Sequence, residues 1–283
     1  MVQFALLIII IMALLWASVT SSGSASGSSA ANELRLNAYT SDGDLAQVTF
    51  AARGVGKSSP AVGFVLKGNV GVVLFCRPCS SPLSVPVSRT IEWMDKVGVC
   101  AVGYRADCAR LKTEWRGVVE NHKFIFGEAP SVNKIASKLS TVITSGMYPD
   151  RNEKEAPFAR PLAASVLFLA TEGGSMQLLQ LDNSGTIYDC KGLAALGSVS
   201  SHADDLAAIV DAISTDSKTI AATIESVASR LFQHIKWDSE EDVQLECECL
   251  LVDASSGQGH VLLGRSPEEL GGAVLVKFEE ETK

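Results

Sequence analysis

"AVGFVLKGNVGVVLFC" (61–76) holds two apolar runs on either side of Lys67-Gly68-Asn69. Gly and Asn favour turns, and the runs are rich in Val, Leu and Phe, so the stretch reads as a β-hairpin. The pattern outward from it comes in blocks. "VGVCAVG" (97–103) is a third buried strand. The period then becomes helical. "RADCARLKTEWRGVVENHKF" (105–124) sets Ala109, Leu111, Trp115, Val118 and Val119 near one face. "SVNKIASKLSTVITSG" (131–146) does the same with Val132, Ile135, Leu139, Val142 and Ile143 behind a Ser131 cap. A polar loop (148–161) leads to strands at 162–171, 176–182 and 185–190, with "DNSG" (182–185) as a turn. Helical spacing returns at 201–214 and at 216–235, where Ile220, Ile224, Val227, Leu231 and Ile235 form one stripe. Strands at 243–254 and 259–264 follow, and "SPEEL" (266–270) opens a capped helix. Strands in consecutive blocks argue for antiparallel sheets rather than alternating βαβ units, so two packed sheets between helical layers are expected.

The bulk numbers fit one globular body. Hydrophobic residues make up 47% of the 283 residues and charged ones 20%. The formal charge of -8, with no basic run, argues against a nucleic-acid surface, which needs clustered Lys and Arg. The seven cysteines are an odd count. "CRPC" (76–79) has zinc or redox spacing, but "CEC" (247–249) does not supply the matching second pair. Buried reduced thiols are the preferred reading, and neither metal nor cofactor is expected. "FALLIIIIMALLW" (4–16) is too short to span a bilayer comfortably. With the small, polar "ASVTSSGSASGSSAA" (17–31) after it, residues 1–31 read as a signal-like leader and spacer, and 32–283 as the folded domain. No other membrane association is expected.

Ahead of the hairpin stands "YTSDGDLAQVTFAARGV" (39–55). It reads as a turn followed by a short amphipathic helix. Leu45, Val48, Ala52 and Val55 recur at helical spacing, Asp42 is placed to cap, and Gly43 eases the turn.

The region from Tyr39 to Leu270 resembles the 20S proteasome subunits of the α type. Their opening motif, F-S-P-D-G-x-L-x-Q-V-E-Y-A, stands here as Tyr39 to Ala51. "AVGF" (61–64) and "GVVL" (71–74) are similar to the family's first hairpin, "GYRAD" (103–107) to G-L-x-A-D, and "RGVVENHKF" (116–124) to R-x-x-x-x-N-H-R-F. "RP" (160–161) precedes a long apolar strand, as in the family. "LLQLDNSGTIYDCKGLAALG" (178–197) resembles L-Y-x-x-D-P-S-G-T-Y-x-x-x-K-A-x-A-I-G, and "SPEEL" the closing S-P-E-E-I. The resemblance implies an α+β fold, a four-layer αββα sandwich of the N-terminal-nucleophile hydrolase class. It implies a seven-membered ring of α subunits stacked on β-ring subunits, cytoplasmic and nuclear, serving ubiquitin-dependent degradation. Tyr39, Asp42, Gly43, Leu45, Gln47, Val48, Phe50 and Ala51 would form the ring and gate interface.

Active relatives expose a Thr, Ser or Cys at a new N-terminus, activated by its own α-amino group and a Lys. The corresponding place is "KSSPAVGF" (57–64), where Ser59 lies near the nucleophile position. No Gly precedes it, Pro60 follows it, and the supporting Asp and Lys fall near Cys76 and Ser88. A non-catalytic subunit is therefore expected, with the opening helix lying over the cleft that β subunits leave open. His122, His202, His234 and His260 show no metal spacing, "GSVSS" (197–201) lacks the nucleophile-elbow pattern, and Glu240-Glu241 reads as solvated face.

Departures from the family mark the same surfaces. The gate's Tyr-Asp-Arg is Asn32-Glu33-Leu34, and the Glu and Tyr of Q-V-E-Y-A are Thr49 and Phe50. The activator-pocket Lys falls on Trp93, in a region with Arg89, Glu92 and Lys96, so docking of a regulatory particle is in question. The leader points to a secretory or organellar route. Two alternatives stand beside the ring subunit: an α-like interaction protein of that route, and a self-processing hydrolase using Ser59.

Overall fold

The computed structural model describes residues 39–66, 69–79, 89–147, 160–211, 217–237 and 245–281. The leader, the expected boundary after residue 31, the gate positions 32–34, Ser88 and Glu240-Glu241 lie outside them. The chain forms two compact units, Met1–Phe50 and Ala51–Lys283. Helix α1 (Ala46–Gly56) carries the backbone from the first into the second.

Ten strands of the second unit make two antiparallel sheets. β1 (Ala61–Leu66) and β2 (Val70–Pro78) are the predicted hairpin, paired Ala61↔Phe75 through Leu66↔Val70. They join β8 (Leu193–Leu196), β9 (Leu245–Asp253) and β10 (Gln258–Gly264) in the order β10-β9-β2-β1-β8. The second sheet runs β3-β4-β5-β6-β7, from β3 (Ile91–Met94) and β4 (Val97–Gly103) through β5 (Ala164–Glu172) and β6 (Ser175–Leu181) to β7 (Ile187–Asp189). Helices α2 (Arg105–Phe126) and α3 (Val132–Met147) pack on the second sheet. Helices α4 (Ala203–Asp211), α5 (Ser217–Trp237) and α6 (Pro267–Glu281) pack on the first, which completes the αββα sandwich.

Alternate residues of β1, β2 and β9 point to opposite faces, and outside Arg77, Glu246, Glu248 and Asp253 both sets are apolar. Val62, Phe64, Val72, Leu74, Cys249 and Leu251 face the α4–α6 layer, where Ile224, Val227 and Leu231 of α5 join them. The intervening Ala61, Val73, Phe75, Leu250 and Val252 face the other sheet, against Leu167, Leu169 and Leu178. Both faces are covered, so neither reads as polar. The helix starts follow their caps. Ser131 Oγ accepts the Lys134 amide ahead of α3, and Ser266 Oγ accepts the Glu269 amide of α6 at 3.1 Å.

Three readings of the sequence change. β3 and β8 are strands of four residues each, too short to show alternation. On α2 the buried set is Asp107, Cys108, Leu111, Lys112, Trp115 and Val119, while Ala109 is exposed. Lys112 finds two acceptors, the Arg89 carbonyl and Glu92, and Asp107 finds Arg160 and the Ala163 amide, which residue polarity alone could not reveal. Finally, the cysteines are not all reduced. Cys76 and Cys247 form a disulfide, because the β2–β9 register sets them directly opposite with Cα atoms 4.2 Å apart. Cys79, Cys100, Cys108, Cys190 and Cys249 form no disulfide.

Candidate functional site

The opening motif is a hydrogen-bonded turn followed by a helix. Within Met1–Phe50, Tyr39 and Leu45 face each other as an isolated antiparallel bridge. Thr40 donates its amide to the Asp44 carbonyl at 2.7 Å, and its Oγ1 accepts the Asp44 amide at 3.1 Å. Gly43 takes a φ of 90°, which a side chain disfavours. Asp42 does not cap the helix. It lies four positions before Ala46, where α1 begins, and accepts a bond from Ser41 Oγ. The buried positions of α1 are Ala46, Ala51 and Val55; Gln47 and Val48 are half-buried, while Ala52 and Phe50 are exposed. The packed stripe therefore runs through Val48, Ala51 and Val55, one position away from the expected Ala52.

The nucleophile position comes next. Helix α1 ends at Gly56, three residues before Ser59, and β1 begins at Ala61. Ser58 Oγ donates to the Val55 carbonyl at 2.6 Å, and its own carbonyl accepts the Ser198 amide at 3.0 Å. Both serines are half-buried, and Pro60 is buried immediately before β1. Cys76, the residue near the expected place of a supporting Asp, is paired with Cys247.

β3 and its hairpin to β4 hold the four pocket positions. Glu92 receives three bonds from Arg116, at 2.6 and 2.7 Å from Nη2 and 2.9 Å from Nε, and an ion pair from Lys112 Nζ at 2.9 Å. Burial pushes the Glu92 carboxyl up, but hydrogen bonds and charge from Lys112 and Arg116 outweigh it, and its pKa is lowered. Trp93 lies over Gly259 of β10, where any Cβ would collide with the indole. Arg89 donates Nη1 to the Val261 carbonyl at 3.3 Å. Asp95 and Lys96 form the two-residue loop, with φ of 48° and 70°, the positive pair of a type I′ hairpin. Lys96 is exposed, and its carbonyl accepts the Thr171 amide. Arg89, Glu92 and Trp93 thus share one groove, lined also by Met94, Trp115 and Arg116, while Lys96 sits at its hairpin end outside the lining.

Residues the sequence did not single out hold these parts in place. Asp107 of "GYRAD" takes Arg160 of "RP" in a two-pronged pair at 2.7 and 3.0 Å, and also the Ala163 amide at 2.8 Å. The Asp107 bond raises the Arg160 pKa, against the opposing pull of burial. Two matched motifs are therefore a single contact. Glu248, 1% exposed on β9, accepts the Thr90 and Ile91 amides at 2.8 Å each, so the first sheet grips the start of β3 in the second. The histidines are not all scattered: His202 and His234 meet edge to face at 5.1 Å. No third metal-ligating side chain joins them among the described residues.

Comparisons with known proteins point to one family. A family model described as proteasome subunit matches residues 55–229, more than half of the chain. The chain belongs to the proteasome subunit family. It is 30% identical over 165 residues to proteasome subunit alpha type-5 of Drosophila melanogaster, covering 58% of this chain and 67% of that one. It is 28% identical over 160 residues to proteasome subunit alpha type-5 of Caenorhabditis elegans, covering 55% and 62%. Proteasome subunit alpha 1 of Haloferax volcanii is 24% identical over 197 residues, covering 69% and 75%. The matched portion is thus about three-fifths to three-quarters of each relative's length. These relatives are all α-type, and they lend no support to the secretory interaction protein or the Ser59 hydrolase.

Proposed function

We propose that this chain is a non-catalytic α-type wall subunit of a proteasome core particle. The carrying observation is that the opening motif folds into helix α1 directly ahead of the nucleophile position, where an N-terminal nucleophile needs a free α-amino group as its base. Pro60 follows Ser59, and Cys76 falls near the place of the supporting Asp. What remains is architecture. Neighbouring α subunits close a ring beside it, β subunits stack beneath it, and the motif from Tyr39 to Ala51 narrows substrate access in ubiquitin-dependent degradation. Binding of this kind is steric and cooperative.

Surface chemistry supports a life among partners. Phe124, Ile125 and Phe126 at the end of α2 are 91%, 68% and 62% exposed, three large apolar side chains in succession. Such patches mark protein contacts. We assign this end of α2 to a neighbouring subunit. The activator groove reads differently. Trp93 supplies no charge, Arg89 is tied to a backbone carbonyl, and Glu92 is neutralised by Lys112 and Arg116, so a carboxylate-bearing activator tail finds little to hold. The subunit's contribution to regulatory docking is accordingly weak, and its address is that of the assembled particle, cytoplasm and nucleus.

A C-terminally tagged chain tests this reading. Co-purification with α and β subunits in one large native species, with residues 39–55 retained by intact mass, is expected. A monomer in a membrane-enclosed compartment, or a new N-terminus at Ser59, overturns it.

A further inference from the structure

Beside Ser58 and Ser59 the second unit holds a cleft of about 170 Å³. A water needs about 10–15 Å³ of such space, so the cleft has room for a small oxyanion together with several waters. Its lining is unusual in sign. Arg77 from β2, Arg89 ahead of β3, and Arg105 and Lys112 from α2 all border it, and no acidic side chain is among the described lining residues.

The counter-charges pair with the lining cations without bordering the cleft, and they leave donors unspent. Glu246 takes Nε and Nη2 of Arg77 at 3.2 and 3.0 Å, which leaves Nη1. Lys112 is 8% exposed and spends two of its three N–H groups, on the Arg89 carbonyl at 2.7 Å and on Glu92 at 2.9 Å. The Arg105 guanidinium makes no hydrogen bond or ion pair among the described residues. The amino end of α2 adds the positive end of its dipole, partly offset by Asp107 in the first turn, and Tyr104 at the N-cap makes no side-chain cap bond. Cys108, also in the lining, supplies no competing anion. Burial, then the Asp107 charge, push its thiol up to about 12 despite Lys112, so it is protonated at neutral pH.

We propose that this cleft binds a compact oxyanion of the phosphate type, as free phosphate or as the phosphate group of a small monoester. Arg105 is the residue free to turn onto it, Arg77 Nη1 and the third Lys112 proton supply charge-assisted donors, and the Ser59 hydroxyl borders the same space. The geometry uses the disused nucleophile position as an anion pocket. It is independent of ring membership, because every group comes from this chain.

Calorimetric titration of the isolated full chain with inorganic phosphate, against sodium chloride at matched ionic strength, tests it. Saturable binding is expected with phosphate and none with chloride. Arg105→Gln should weaken phosphate by about tenfold or more, while Arg110→Gln, elsewhere on the same helix, should not. Arg105 is exposed and makes no structural bond, so its loss leaves the melting temperature unchanged. Phosphoserine titrated alongside separates the two sources: tighter binding than phosphate assigns a monoester, equal or weaker binding assigns the free ion. No saturable phosphate binding, or an Arg105→Gln protein that binds as tightly as the parent, overturns the proposal. Neither result bears on co-purification with ring subunits, which is read separately.

Discussion

The two helical layers of the second unit are built in different materials. On the α4–α6 side the first sheet meets α5 through an apolar cluster in which Ile224, Val227 and Leu231 are fully covered. On the α2 side the interface carries Asp107 and Lys112 among its buried residues, and its neighbours Glu92, Arg116 and Arg160 complete a string of ion pairs. An apolar contact tolerates any side chain of the right size, whereas a buried charge tolerates only its partner. Three of the stretches that resembled a family in the sequence, "GYRAD", "RGVVENHKF" and "RP", belong to the charged layer or its partners, while "AVGF", "GVVL" and "SPEEL" lie in the first sheet and its helical layer.

Breaking the apolar layer should cost most. Leu231→Ala removes a fully buried side chain, and a loss of about 3–4 kcal/mol in chemical denaturation is expected. The disulfide on the same side of the sheet comes next. It joins residues 171 apart, and reduction should lower stability by about 3 kcal/mol, read as the melting shift between oxidised and reduced protein. Intact mass before and after alkylation checks that one pair, and no more, is closed. On the charged layer, Asp107→Asn keeps the shape but loses the charge facing Arg160. Because Arg160 is half-exposed, about 2 kcal/mol is expected, and less at high salt. A loss that does not respond to salt would show that the Ala163 bond, not the ion pair, matters.

Two smaller effects sharpen the contrast. Lys96→Gly replaces a side chain held at a φ of 70° by the residue a type I′ loop prefers, and should stabilise by about 1 kcal/mol. Glu92 has its pKa lowered in the folded state, with burial opposing and Lys112 and Arg116 prevailing. Its stabilising contribution is therefore present above the unfolded carboxyl value and is lost as pH falls through the folded one. Glu92→Gln should flatten the acid side of a stability profile by less than about 1 kcal/mol, the scale of a partly exposed pair. An unchanged profile would mean that the charged layer is held by shape alone.

Much of this fold was legible because hydrophobic period reports local structure. The β1–β2 hairpin, β4, α3 and the α5 stripe stand within a residue or two of where spacing puts them. β3 and β8 escaped because four residues carry too little pattern. The disulfide escaped because register between β2 and β9 links positions with most of the chain between them. For the same reason Glu248 read as a stray acid in "CEC", although it receives the Thr90 and Ile91 amides. Nothing in one sequence tells which distant backbone a side chain will reach. The helix at 39–55 was visible by spacing, but its stripe was set one residue wrong, since Ala is small enough to suit either face.

The Glu248 grip also has a consequence for synthesis. β2 lies between β1 and β9, and β9 begins only at Leu245, in the last fifth of the chain. Until the ribosome has delivered that stretch, β2 has an open edge and β3 lacks the carboxylate that receives its first amides. A chain stopped before β9 would thus leave the β2 edge of the first sheet unpaired, and closure of the sandwich waits for that strand.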